Sequence, residues 1–376
     1  AGGMRTVRRK MTEKKRIVTL RRRNEGLMRK TNVICTIGPS CENEYVLRKM
    51  AVAGMNCVRI NLLNGDRKTH QRSLNLIRSV RSSLRLPIGI MLDIRGPECR
   101  ISTFQKRKLP VKEGETIRLT VEPETISEKT VSVTDKNLPL VLLKGDLIFF
   151  GNSGCTLRVK ELGKREITCT CEAAGVLSEN KALYLPGRCF NRPFLNDRDR
   201  EDIVWGIRNK VDVIAASSVS KREEAEELRE FLNRNGGKEI RLLAKIRSRS
   251  GIEHAEEICK VADGIMVSRA ELGTEIRNVE VAPVQKQLMR LGSRLGKYVV
   301  TSTELLESMI QNSAPTLLEL SDIVNAVYDG TTAVLLSAET AVGKYPVEAV
   351  KILSEAAAFA EESFYSAGRM ESGIIF

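Results

Sequence analysis

Eight short apolar runs recur along the chain with helix-period segments between them, and this rhythm constrains the fold more than any other feature. The runs are Val33–Ile37, Cys57–Leu62, Ile88–Asp93, Val213–Ser217, Leu242–Ile246, Gly264–Val267, Val299–Thr303 and Ala333–Ser337. Most are nearly continuous Val, Ile, Leu, Met and Ala, the pattern of parallel strands covered on both faces. The segments Asn43–Ala53, Thr69–Ser83, Asp199–Asn209, Arg222–Asn235, Val281–Leu295, Leu317–Tyr328 and Val347–Ala360 carry helical periodicity. Asn196 or Asp197 can cap the third, Gly236 and Gly237 end the fourth, and Pro315, Thr316 and Pro346 stand near the starts of the last two. Eight such alternations predict an α/β fold, a (β/α)8 TIM barrel. The alternative is a doubly wound open sheet. No Gly-x-Gly-x-x-Gly follows the first run, and no Gly-x4-Gly-Lys-Ser/Thr occurs.

One gap breaks the rhythm. Between Asp93 and Val213 lie about 120 residues, far beyond an ordinary βα loop. Short β-type runs fill its middle: Thr116–Val121, Thr130–Val133, Leu147–Phe150, Leu157–Val159 and Ile167–Cys171. Turn signals at Lys112–Gly114, Lys144–Asp146 and Asn152–Gly154 separate them. These predict a small all-β domain inserted after the third barrel strand, placed to act as a lid. The expected division is a basic arm (1–30), a barrel (31–100 and 188–366), a β-rich lid (101–187) and a C-terminal tail (367–376).

The formal net charge of +14 over 376 residues is unevenly spread. Residues 1–30 hold twelve Lys/Arg and two acids, a net +10, and the rest holds only +4. The arm reads as a tail, a tag remnant (Ala1-Gly2-Gly3 before Met4) or a transit peptide, although it contains no Ser. It reads equally as a contact, centred on Arg21, Arg22 and Arg23, to an acidic macromolecular partner: RNA, an anionic membrane face or an acidic protein surface. No aromatic residue of the arm offers base stacking. The nine cysteines are odd in number and contain no Cys-x-x-Cys, and there are only two histidines. They read as reduced thiols of an intracellular protein, cytoplasmic or organellar. No run of about 20 apolar residues predicts a transmembrane helix.

Barrel enzymes place their chemistry at the carboxyl ends of the strands. The polar residues there are Thr36, Arg59, Asn61, Asp93, Arg95, Ser217, Lys245, Arg247, Arg269, Glu271, Thr303 and Glu339. Cations, hydroxyls and a few carboxylates suit a phosphorylated or carboxylated small molecule. In an extended chain Lys245, Arg247 and Arg249 point to one face, and three such cations repel unless an anion intervenes. Glu271, just past the next strand, is the expected counter-charge.

Several collinear blocks resemble the pyruvate kinase family. They are Cys35-Thr-Ile-Gly-Pro-Ser40, Ala53-Gly-Met-Asn-Cys-Val-Arg-Ile-Asn61, Leu92-Asp-Ile-Arg-Gly-Pro-Glu-Cys-Arg100, Asp263-Gly-Ile-Met-Val-Ser-Arg-Ala-Glu-Leu-Gly273, Thr303-Glu-Leu-Leu-Glu-Ser-Met309 and Gly343-Lys-Tyr-Pro-Val-Glu-Ala349. The resemblance runs from about Thr31 to Ala360. It implies phosphoryl transfer from phosphoenolpyruvate to ADP with Mg²⁺ and K⁺. It implies that Lys245 stabilises the transferring phosphoryl group, that Thr303 sits by the enolate and that Arg59 contacts phosphate. It places Arg100, Lys181, Arg269 and Ala270 at substrate or nucleotide, and Asn61 and Asp93 at the monovalent cation.

The chain departs from the family at other positions. The divalent-metal carboxylates correspond to Arg247 and Glu271. The glycine beside the second is Ala270, a cation-site serine is Leu63 and the next histidine is Asn64. The lid's Asp-Asp-Gly reads Asn152-Ser153-Gly154, and Gly-Glu-Thr reads Ala338-Glu339-Thr340. The family continues into a C-terminal domain beyond the position of Phe376. Arg for a metal carboxylate puts a cation where a cation must bind. The expectation is a catalytically impaired homologue with weak or absent Mg²⁺ and K⁺ binding, with an Arg247–Glu271 ion pair in the old metal site. It would weakly bind ADP or phosphoenolpyruvate and serve as a component of a larger assembly, anchored by its arm, with an oligomer also open. The alternatives are an active, divergent pyruvate kinase of glycolysis and an RNA-binding protein acting through residues 1–30.

Overall fold

The computed structural model describes residues 29–96, 99–102, 108–122, 129–150, 154–179, 181–186 and 193–370. Eight parallel strands close a barrel: β1 (Asn32–Thr36), β2 (Cys57–Asn61), β3 (Gly89–Asp93), β12 (Val213–Ala216), β13 (Arg241–Ile246), β14 (Gly264–Ser268), β15 (Tyr298–Ser302) and β16 (Ala333–Leu336). Strand β1 pairs with both β2 and β16, which closes the ring and removes the open-sheet alternative. Each expected run is a strand, because every one is covered on both sides. Ile34, Met91, Ala215, Leu243, Met266, Val300 and Leu335 fill the interior. A larger apolar layer, including Val33, Val58, Ile90, Leu242 and Val334, lies between the barrel and its helices.

Caps fix where the helices begin. Asn196, the first of the two residues expected to cap its helix, accepts from the Asp199 amide at 2.8 Å. Thr316 and Glu319 form a reciprocal capping box at the start of Leu317–Tyr328. Among the short helices that went unpredicted are Arg249–Glu253 and Ala255–Val261, too short to show a period. They correct the extended reading of Lys245, Arg247 and Arg249. Strand β13 ends at Ile246, Ser248 caps a helix by accepting from the Gly251 amide at 3.1 Å, and Arg249 is the first residue of that helix rather than a strand residue.

Between β3 and β12 the chain builds β4 (Lys108–Val111), β5 (Thr116–Thr120), β6 (Thr130–Ser132), β7 (Leu147–Phe150), β8 (Thr156–Leu162), β9 (Glu166–Ala173), β10 (Gly175–Ser178) and β11 (Leu183–Tyr184). They form a six-stranded sheet, β11-β7-β8-β9-β5-β6, and a two-stranded one, β10-β4. This insertion has its own apolar core around Ile117, Leu119, Ile148, Phe150, Leu157 and Ile167.

The chain enters the barrel at the amino ends of the strands. Arg29 donates from Nη2 to the Gly54 carbonyl at 2.7 Å and also bonds Asn56 Oδ1 and Ser354 Oγ. Glu361 accepts from the amides of Lys30 and Thr31 at 2.7 and 2.6 Å. Among the described residues, no helix is long and apolar enough to cross a membrane. The eight described cysteines are free, and seven are buried.

Candidate active site at the carboxyl ends of the barrel strands

The strand ends gather a buried charge cluster. Asp93, the last residue of β3, is 1% exposed. Its Oδ2 accepts from Arg59 Nε at 2.8 Å and Nη2 at 2.5 Å, and both its oxygens lie 3.4 Å from Lys245 Nζ. Arg59 Nη1 donates to Thr36 Oγ1 at 3.0 Å, whose hydroxyl donates to the Leu336 carbonyl at 2.9 Å. Lys245 Nζ also lies 3.5 Å from Ser217 Oγ. Strands β1, β2, β3 and β13 and the Ser217 turn therefore contribute one group each. Burial pushes the Asp93 carboxyl up, but Lys245 and Arg59 outweigh it and hold the group below the usual carboxylate range.

Beside this cluster lies the expected ion pair. Arg247 Nη1 is 3.6 Å from Glu271 Oε1. Tyr184 of the insertion donates its hydroxyl to the same oxygen at 3.4 Å, and its ring lies 5.6 Å from the Arg247 guanidinium. Burial raises the Glu271 carboxyl, yet Lys245 and Arg247 together hold it below its ordinary value. Three cations (Arg59, Lys245, Arg247) thus face the carboxylates of Asp93 and Glu271, with Glu275 also within electrostatic reach of Arg247. Among the described residues, no group of three or more His, Cys, Asp or Glu could hold a metal ion.

The other expected site residues are placed as follows. Thr303 and Glu304 both adopt positive φ, 71° and 56°, a strained conformation above all for the β-branched Thr303. Arg269 holds that turn, donating from Nη2 to the carbonyls of Thr303 at 2.8 Å and Glu304 at 3.0 Å, while its Nη1 pairs with Asp322 at 2.6 Å. The Ala270 amide donates to Thr303 Oγ1 at 3.1 Å. Arg269 and Ala270 thereby position Thr303, and Arg269 is directed to the loop, away from the Lys245 cluster. Asn61 Oδ1 accepts from the Leu63 amide at 3.2 Å. Arg100 and Lys181 meet within the insertion, where Arg100 bridges Ala182 and the Ile101 amide donates to the Lys181 carbonyl at 2.8 Å. Glu339 is buried, caps the amides of Ser337 and Leu306, and has its carboxyl pushed up by burial. Arg21, Arg22, Arg23, Asn152 and Ser153 lie outside the described residues.

Sequence reasoning missed Tyr184 and Asp322. The short β-run before Pro186 was the available signal for the first. A contact 53 positions away left none for the second.

Residues 28–350 match the family model for the pyruvate kinase barrel domain. Pyruvate kinase of Staphylococcus haemolyticus is 39% identical over 336 residues, covering 89% of this chain and 57% of that protein. Pyruvate kinase of Clostridium perfringens is 36% identical over 335 residues, covering 89% and 71%. The crystal structure of a pyruvate kinase from Cryptosporidium parvum superposes with a TM-score of 0.81 at 34% identity, covering 89% of this chain and 70% of that one. The chain thus spans little more than half the length of the staphylococcal relative. A closed barrel, a β insertion after its third strand and a lysine–arginine–aspartate cluster at its mouth accompany these matches, and the chain belongs to the pyruvate kinase family.

Proposed function

We propose that the chain binds a small phosphorylated carboxylate at the barrel mouth but is impaired in phosphoryl transfer from phosphoenolpyruvate to ADP. In this reading it serves as a binding component of a larger assembly through residues 1–30. The observation that carries the first claim is the Arg247–Glu271 pair. The family generally uses Mg²⁺ and K⁺. Mg²⁺ requires several oxygen ligands in near-octahedral array. Here one carboxylate is committed to Arg59 and Lys245, and the other faces Arg247. Three cations packed against these carboxylates repel a divalent cation and attract an anion. The residues present do not fit the metal. Nor do Asn61 and Asp93 suit K⁺, since each is already engaged and Leu63 offers only hydrocarbon.

The same charge balance supports anion binding. Arg59 and Lys245 would orient phosphate oxygens, Arg247 would add charge at the rim, and Thr303 would approach the carboxylate or enolate end. Phosphoryl transfer depends on positioning and charge neutralisation, so a fixed guanidinium in place of a bridging metal would slow it. The second reading is an active enzyme. It is favoured by the intact Lys245–Asp93–Arg59 cluster and by relatives at 34–39% identity named pyruvate kinase. A coupled assay of pyruvate formation from phosphoenolpyruvate and ADP decides. The expected turnover is well below about 1 s⁻¹, and a rate at or above that value establishes the active reading.

A further inference from the structure

We propose that the amino-terminal end of the barrel, opposite the candidate active site, is a docking surface for a single-stranded polynucleotide held through its phosphates. This surface extends the role of residues 1–30 as an anchor, and the proposal rests on that reading in part.

A cavity of about 700 Å³ opens at this end, among the first residues of the strands. Lys210, Asp212, Glu239, Arg241 and Tyr298 stand on its wall, as does Asn56. Asn56 also accepts from Arg29, so the basic arm joins the fold at the cavity's rim.

The loops at this end treat their charges unequally. Asp212 accepts from the Ile90 amide at 2.8 Å and lies 3.8 Å from Arg81. Asp263 pairs with Arg229 at 2.5 Å and accepts from the Leu242 amide at 2.7 Å. Asp329 pairs with Lys286 at 2.6 Å. Arg85, Lys210, Lys238 and Arg241 are exposed, and none has a carboxylate partner among the described residues. Asp263 and Asp329 are neutralised at close range within the fold, Asp212 stays exposed beside Arg81, and the four cations face solvent. Glu239 is a further exposed acid among them.

Several features favour a polynucleotide over an acidic protein. Protein interfaces centre on apolar patches depleted in charge, whereas nucleic-acid interfaces are polar and strongly positive. The surface also supplies the stacking group that the arm lacks. Tyr298 is 40% exposed, and Arg241 stacks on its ring at 4.8 Å while donating to its hydroxyl at 2.8 Å. A ring fixed in this way offers a sequence-tolerant platform beside phosphate-binding cations.

The test is fluorescence anisotropy of a labelled 20-nucleotide oligouridylate with the full chain across a salt series. Binding should weaken steeply with salt. The triple variant K210E/K238E/R241E should bind at least about tenfold more weakly, with the slope of log affinity against log salt reduced by about two. Lys210→Gln with Lys238→Gln, both exposed and unpaired, should give a smaller loss in the same direction and guards against misfolding of the triple variant. The inference is overturned if the oligonucleotide does not bind, if both face variants bind like the parent, or if polyglutamate of equal charge binds more tightly. Substituting Arg21, Arg22 and Arg23 by Gln separates the two readings. No loss from that change, with a loss from the face variants, refutes the arm as anchor and leaves the docking face standing.

Discussion

Arg247→Glu is expected to raise the Mg²⁺ affinity of the chain by on the order of a hundredfold or more. The substitution lowers the local charge around Glu271 by two units. Unit charges about 4 Å apart interact by about 4 kcal/mol at the effective dielectric of a protein surface, and a divalent ion feels twice the change. Screening and desolvation remove part of this, which still leaves a large shift. Glu271 loses its guanidinium partner and gains a second carboxylate beside it. Titration calorimetry with Mg²⁺ alone reads the result without substrate or turnover. Equal affinity in the two proteins would show that the ion pair does not exclude the metal. The activity assay then separates the two functional readings. An impaired protein should gain turnover, or at least Mg²⁺ dependence, from this change. An active divergent enzyme that uses Arg247 should be unchanged or slower.

The barrel was legible because strands covered on both faces leave unbroken apolar runs, and all eight are present as strands. What escaped notice was short or irregular. Lys108–Val111 carries Pro110 and lies in a two-stranded sheet, where a missing ladder donor is tolerated. Leu183–Tyr184 is two residues long, yet it brings Tyr184 against Glu271. In the site, the Arg247–Glu271 pairing was legible because a cluster of cations at one strand end needs a counter-charge and Glu271 lies just past the next strand. The role of Arg269 did not follow. Its position after β14 resembles a substrate contact, but its direction is set by Asp322 and by two carbonyls of a left-handed turn. Neither leaves a local pattern in the sequence.

Asp93→Asn should cost about 3–5 kcal/mol of folding stability, because it leaves buried Arg59 without its counter-charge and Lys245 with Glu271 alone. Arg59 is 8% exposed and Lys245 is 6% exposed, and both converge on this carboxylate. Thr36 and Ser217 offer only neutral oxygens in its place. The pH dependence gives the claim a second readout. The Asp93 carboxyl is held below its ordinary value by Lys245 and Arg59, despite burial acting the other way. A carboxylate with a depressed folded value binds its proton more readily in the unfolded chain. Its stabilising contribution is therefore complete above the ordinary pKa of about 3.9 and is lost as pH falls through the lower folded value. Urea unfolding of parent and variant should show the full difference at pH 7 and a shrinking one below about pH 4. A cost under about 1 kcal/mol, or a difference that does not change with pH, would mean that Arg59 and Lys245 do not depend on Asp93. The same experiment bears on the mouth as an anion site. Added inorganic phosphate should restore part of the variant's lost stability, since a bound anion supplies the charge that the substituted amide lacks and stabilises the folded chain by mass action.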